Sequence, residues 1–182
     1  MDRQPVLEGE RLILRPLVPA DWDALFAVAS DRQLWALHPM HDRWHEPVFR
    51  AFFDDALAKG GALAVVLRES GRIVGSSRFQ GYDSADGGQV EIGWTFLARD
   101  LWGGGYNAEM KRLMLAHALA EVERVVFHVG EANWLSRGAM EKIGGRLQPE
   151  VESVATPLGD VVHVIYEISR ADFATGPLAP GK

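Results

Sequence analysis

The chain has 182 residues, of which 47% are hydrophobic and 24% charged, an ordinary composition for one soluble globular domain. A chain of this length buries about 70% of its unfolded surface and needs no disulfide or metal staple. It contains no cysteine, which excludes a thiol nucleophile, a thiolate zinc site, an iron–sulfur cluster and a disulfide framework. Nineteen Lys and Arg against 25 Asp and Glu give a net charge of -6, a poor match to a polyanion, so nucleic acid is not an expected partner. The opening Met1-Asp2-Arg3-Gln4-Pro5 lacks the apolar run of a signal peptide, and no apolar stretch approaches the roughly 18 residues of a membrane span. A soluble, cytoplasmic protein is expected. Residues 1–172 read as a single domain, and residues 173–182, rich in Gly, Pro and Ala toward their end, as a flexible tail.

The first element is a strand around Leu12-Ile13-Leu14, alternating with Arg11 and Arg15 and stopped by Pro16. Trp22, Leu25, Phe26 and Ala29 recur at spacings of three and four and predict a helix, and Val48, Phe52 and Leu57 predict a second one running to Gly60-Gly61. Residues 62–67, 73–79 and 90–97 are β-rich runs separated by glycine-containing turns, a three-stranded antiparallel meander. The period returns to helical over residues 106–119 and switches to a compact strand over 124–129. A further helix over about 135–143 stops at Gly144-Gly145, and two last strands, near 146–153 and 161–168, flank a turn at Pro157-Leu158-Gly159-Asp160. The order predicts a mixed α+β fold with one parallel strand pair around the third helix.

The most informative segment is Trp102-Gly103-Gly104-Gly105-Tyr106-Asn107-Ala108-Glu109, a glycine-rich turn between a strand and a helix start. Successive glycines permit positive φ and close approach of a ligand, and a helix N-terminus directs unpaired N–H groups at an anion. The spacing is neither Gly-x-Gly-x-x-Gly nor a P-loop, so both nucleotide motifs are set aside. The segment resembles the pyrophosphate-binding turn of the GNAT superfamily of acyl-CoA-dependent N-acetyltransferases, in particular its RimJ/RimL-like branch. Leu12-Ile13-Leu14-Arg15-Pro16-Leu17 is similar to that family's opening strand and Glu91-Ile92-Gly93-Trp94 to the strand beside the cofactor. Asn133-Trp134-Leu135-Ser136-Arg137 with Glu141-Lys142-Ile143-Gly144 is similar to its late signature. The chain departs from the family at Gly145, where many relatives carry an aromatic, and at Asp100, where an arginine or glutamine is common.

The resemblance implies a GNAT fold, a central, mostly antiparallel sheet with flanking helices and a splayed parallel pair holding acetyl-CoA as co-substrate. It also implies direct attack of a primary amine, of a protein N-terminus or a small molecule, on the thioester through a tetrahedral intermediate. Such a site needs an acceptor for the amine proton and a donor for the departing thiolate. Glu91, pointing away from its neighbours Val90 and Ile92, is the candidate acceptor; a surface glutamate is the alternative. The tyrosine common in the family is replaced by Met140, and Ser136 matches the serine proposed as donor in RimJ/RimL-like members. The implied cofactor contacts are Phe96, Leu97, Gly103, Gly104, Gly105, Tyr106, Asn107, Asn133, Ser136 and Arg137. Asn133 and Ser136 also suit a helix cap. Trp35, His38 and Trp44, between the two early helices, are candidates for acceptor recognition by ring contact. His38, His41 and His45 have no carboxylate at a fixed spacing, and no metal is expected. The acidic balance suits a cationic acceptor. The exposed edge of the last strand pair is a candidate homodimer contact. The competing reading is a catalytically idle CoA-binding or sensing module.

Overall fold

The structure, a computed structural model, describes residues 1–179. Its strands are β1 (Leu7–Glu8), β2 (Leu12–Pro16), β3 (Ala62–Leu67), β4 (Ile73–Asp83), β5 (Gln89–Leu97), β6 (Arg124–Gly130), β7 (Arg146–Thr156) and β8 (Gly159–Ser169). Its helices are α1 (Trp22–Ala29), α2 (Glu46–Lys59), α3 (Tyr106–Leu119), α4 (Trp134–Lys142) and α5 (Arg170–Thr175). All the strands join one sheet in the order β1-β2-β3-β4-β5-β6-β8-β7. Every pairing is antiparallel except β5 with β6, which the crossover through α3 makes parallel. No helix among the described residues is long and apolar enough to cross a membrane.

The sheet separates two cores. Ala62 and Ala64 of β3 face α1 and α2 together with Phe49, Phe53 and Trp35, while Leu63 and Val65 face the opposite core, which holds Met110, Met114 and Leu115 of α3 and Met140 of α4. Small side chains on one face and large ones on the other make β3 a continuous apolar run, as expected for a strand covered on both sides.

The pairing that defines the molecule is short. Gln89, Val90 and Glu91 pair with Arg124, Val125 and Val126, and there the β5–β6 ladder ends. β5 stays paired to β4 as far as Leu97 and β6 to β8 as far as Gly130, so the two strands part while their outer edges remain held. A bulge in β5 accompanies the parting. Ser76 faces Phe96 and Arg78 faces Gly93, leaving Ser77 opposite both Trp94 and Thr95, and Trp94 takes φ 52°. A bulky side chain in the left-handed region costs of order 1 kcal/mol or more and bends the strand. Arg78 lies over the Trp94 ring at 4.4 Å and is held by Asp55 of α2 at 2.7 Å, so packing and an ion pair hold the strained residue.

Two elements escape the sequence pattern. β1 is only two residues long, below the reach of any periodicity. From residue 173, where loose chain is expected, α5 continues instead. Ser169 and Asp172 form a reciprocal capping box, and Phe173 is buried against the larger core. Ala179 is buried too, and residues 180–182 of the expected tail lie outside the described residues.

The glutamate that ends the glycine-rich turn works structurally. Glu109, buried in the first turn of α3, accepts hydrogen bonds from the Arg11 and Leu12 amides and from Arg11 Nε, at 2.8 to 3.0 Å. Burial pushes its pKa up, but these donors outweigh burial and hold it below the ordinary value. Glu109→Ala leaves two amide hydrogens unpaired and is expected to destabilise the fold by about 3 kcal/mol in urea unfolding. Because the folded carboxyl has the lower pKa, its contribution is full above the ordinary value and fades as pH falls through the folded one. The gap between the native chain and the variant therefore narrows below about pH 4.5.

Candidate active site

Between the parted strands lies a cavity of about 600 Å³. One wall is residues 92–97 of β5, the other is residues 127–130 of β6, and the floor and rim come from α3, α4 and the segment following α1. The inward edges of both strands carry no ladder, so their amides and carbonyls are open to an extended guest with hydrogen-bonding groups of its own.

At one end the cavity reaches the glycine turn. Gly103 and Gly105 have φ of 75° and 79°, which a side chain would strain, and Gly105 is the N-cap of α3. No side chain caps this end, so the amides of Tyr106, Asn107 and Ala108 keep the partial positive charge of a helix start. Gly103, Gly105, Asn107, Asn133 and Ser136 line the cavity, as do Phe96 and Leu97, whose side chains pack into opposite cores. Three residues of the expected cofactor set lie outside its wall. The Gly104 carbonyl accepts from Arg11 Nη1, the Tyr106 ring lies beneath the Arg11 guanidinium, and Arg137 donates to Tyr166 Oη and the Glu131 carbonyl. Asn133 caps α4, its Oδ1 accepting from the Ser136 amide at 3.1 Å. Asp100 is engaged by Arg72 at 2.6 Å, so its charge does not stand alone beside the turn.

The face toward α1 and α2 is polar. Glu91 does not line the cavity; His128 does, and its Nδ1 lies 3.1 Å from Glu91 Oε1. The carboxylate raises the His128 pKa above its ordinary value, against the opposing effect of burial. A Cβ on residue 93 would come within 3.0 Å of the Glu91 carboxylate, so Gly93 leaves room for the pair. His163, across the ladder on β8, also faces the cavity; burial and then His128 lower its pKa, and its Nδ1 has no hydrogen-bond partner. His38 is pushed down to about 3 by burial first and then by Arg43 and His163, so it is neutral, with Nδ1 accepting from the Met40 amide.

The expected acceptor residues divide. Trp35 and His38 line the cavity, although Trp35 is 2% exposed, donates from Nε1 to the Ala29 carbonyl and packs on Phe96. It is a wall of the core rather than a movable lid. Trp44 does not line the cavity; its ring is tilted against that of His45, with centroids 3.6 Å apart. Among the described residues no group of three His, Asp or Glu side chains is arranged to hold a metal ion.

The sequence reading passed over two residues that the cavity brings forward. His128 alternates with the buried Phe127 and Val129, so strand period points it away from that core, and the β5–β6 register brings it to the face of Glu91. Lys111 of α3 is 2% exposed and lines the cavity on the other face, with Nζ 2.7 Å from Thr95 Oγ1 and 5.5 Å from the Phe127 ring. Burial brings its pKa down to about 7. It stands three and four residues before Met114 and Leu115, a cation inside an apolar stripe.

Residues 11–146 match the family model described as an acetyltransferase (GNAT) domain. Solved structures agree in fold. A GCN5-related N-acetyltransferase from Brucella melitensis superposes with a TM-score of 0.77 at 21% identity, over 93% of this chain and 80% of that one. An acetyltransferase from Agrobacterium tumefaciens gives 0.64 at 28%, over 90% and 94%. Mycobacterium smegmatis RimJ, solved in complex with CoA-disulfide, gives 0.69 at 17%, over 92% and 86%. With the parted strands and the glycine turn at the helix start, the match over most of its length makes this chain a member of the GNAT acetyltransferase family.

Proposed function

We propose that the protein transfers the acetyl group of acetyl-CoA directly to a primary amine, of a protein N-terminus or a small molecule. The observation that carries this reading is the unpaired gap between β5 and β6, which runs into an uncapped helix N-terminus at a glycine turn. A pantetheine arm with amides suits the open strand edges, and a pyrophosphate suits the α3 amides. Phe96, Leu97, Gly103, Gly105, Asn107, Asn133 and Ser136 are the proposed contacts, with Gly104, Tyr106 and Arg137 supporting the turn and α4 from outside the wall. The RimJ/RimL-like branch is favoured by the Trp102-Gly103-Gly104-Gly105-Tyr106 pattern.

The amine approaches from the polar face. His128, held at Nδ1 by Glu91, offers its other nitrogen to the cavity and takes the proton that the attacking amine loses. Glu91 is then a positioning residue that also makes the imidazole more basic, the arrangement that orients a histidine base in other acyl-transfer enzymes. The tetrahedral oxyanion is met by strand amides around the Trp94 bulge. Half-buried, neutral His38 and Trp35 line the acceptor side. The rival reading, an idle CoA-binding module, draws on Met140, which offers no proton where the family often has a tyrosine.

Calorimetry with acetyl-CoA is expected to show binding, and Gly105→Val, which forces a side chain into a left-handed cap, is expected to weaken it about tenfold or more while leaving the fold intact. Thiol release measured against a panel of amines and N-terminal peptides is expected to find an acceptor; binding with no turnover across the panel would favour the idle module. The base must be neutral, so turnover rises with pH through the raised His128 value. Glu91→Gln removes the cause of that rise, and the ascending limb should move toward lower pH as kcat falls roughly tenfold to a hundredfold. A limb that stays in place excludes the pair from the mechanism.

A further inference from the structure

The face of the cavity toward α3 holds a group that the reaction as drawn does not use. Lys111 reaches across the gap from below, with Nζ bonded to Thr95 Oγ1 of β5 at 2.7 Å and 5.5 Å from the Phe127 ring of β6. Thr95 Oγ1 is in turn 2.8 Å from Ser77 Oγ. Among the described residues no carboxylate pairs with this lysine, and burial accounts for the lowering of its pKa. A lysine whose only role is to stabilise the fold gains little from such a place, because an ammonium without a counter-ion is costly to bury. An ammonium that burial makes ready to release its proton, leaving a neutral amine, is well suited to it.

We propose that Lys111 donates the proton taken up by the coenzyme A sulfur as the acetyl group leaves. The inference rests on the acetyl-CoA reading above. As the amine nitrogen bonds to the carbonyl carbon and gives a proton to His128, the carbon–sulfur bond breaks and its electron pair passes to sulfur. The sulfur takes a proton from Lys111 Nζ, and both residues re-equilibrate with water. Burial makes the ammonium the costly form of this lysine, so release of its proton is favoured on the lysine side. The other candidates on this face compare poorly. Met140 has no proton to give, and a Ser136 hydroxyl would be left as an alkoxide, whereas burial favours the neutral amine that Lys111 becomes.

The test needs no acceptor. With coenzyme A bound to the intact protein, the ultraviolet absorbance of the thiolate is followed against pH for the native chain and for Lys111→Met. An adjacent ammonium stabilises the thiolate, so the bound thiol is expected to ionise roughly one unit or more below free coenzyme A in the native protein and to return to the free value or above in the variant. Equal titration in the two proteins would overturn the proposal. Absence of coenzyme A binding by calorimetry would overturn the acetyl-CoA reading, and this inference with it, whereas binding with an unshifted thiol removes Lys111 alone. Lys111→Met exchanges a buried cation for an apolar chain of similar length, and its thermal midpoint is expected to equal or exceed that of the native protein. In Lys111→Arg the cation remains but releases its proton far less readily, so the thiol shift should persist while turnover with any accepted amine falls at least tenfold. Turnover equal to that of the native protein would exclude proton donation.

Discussion

The parallel ladder between β5 and β6 lasts three residue pairs, and nearly every functional feature of the molecule follows from where it stops. Had it run on, the edges of residues 92–97 and 127–130 would satisfy each other and leave no cavity. The outer edges are held by β4 and β8, so neither strand is free to swing back and close the gap. The bulge that turns β5 aside puts Trp94 in a left-handed conformation, an expense met by rigid surroundings. Arg78, buried and ion-paired to α2, covers the indole, and α2 is anchored through Phe49 and Phe53 in the smaller core. The ion pair and that core thus maintain an opening whose walls are backbone.

The two faces of the opening differ in polarity, which suits the two-sided reaction proposed above. Toward α1 and α2 stand the Glu91–His128 pair, His163 and His38, with Arg43 stacked on Trp35 and Phe52. Burial, with Arg78 adding to it, brings even the Arg43 guanidinium down to about 10. Toward α3 and α4 the surroundings are apolar, with Lys111 among Met110, Met114 and Met140. A polar face can exchange protons with an arriving amine; an apolar face raises the cost of an isolated thiolate and so the benefit of a nearby proton.

Much of the fold was legible because it is written in periods. The continuous apolar run of β3, the alternation of β5 and β6 and the helical stripes of α1 to α4 each bury side chains that the spacing already marks. The glycine turn was legible because only glycine tolerates the φ values observed at 103 and 105. What was hidden depends on partners far away in sequence. The bulge at Trp94 is a mismatch between β4 and β5, and nothing in Gly93-Trp94-Thr95 alone announces it. Glu91 was picked out on alternation, yet its place behind His128 needed the β5–β6 register. Asn133 and Ser136 are read as cofactor contacts that also suit a helix cap; the cap is observed, and both residues line the cavity. α5 was overlooked although Ser169 and Asp172 spell its capping box, because the tail composition just beyond it reads as loose chain.

The absence of cysteine gains force from this geometry. Without a thiol in the protein, an acyl group cannot be parked on a cysteine while substrates exchange, and the direct transfer proposed above would bring the donor and the amine into the cavity together. The proposed proton acceptor and proton donor must then act in the same complex without neutralising each other. The sheet keeps them apart, with His128 on the face of α1 and α2 and Lys111 on the face of α3. The sulfur and the nitrogen of a single tetrahedral carbon would point to opposite faces of the same gap. Burial lowers the lysine to about 7, and a carboxylate raises the histidine above its ordinary value. Burial on one side and a carboxylate on the other thus move two unlike side chains toward each other in basicity.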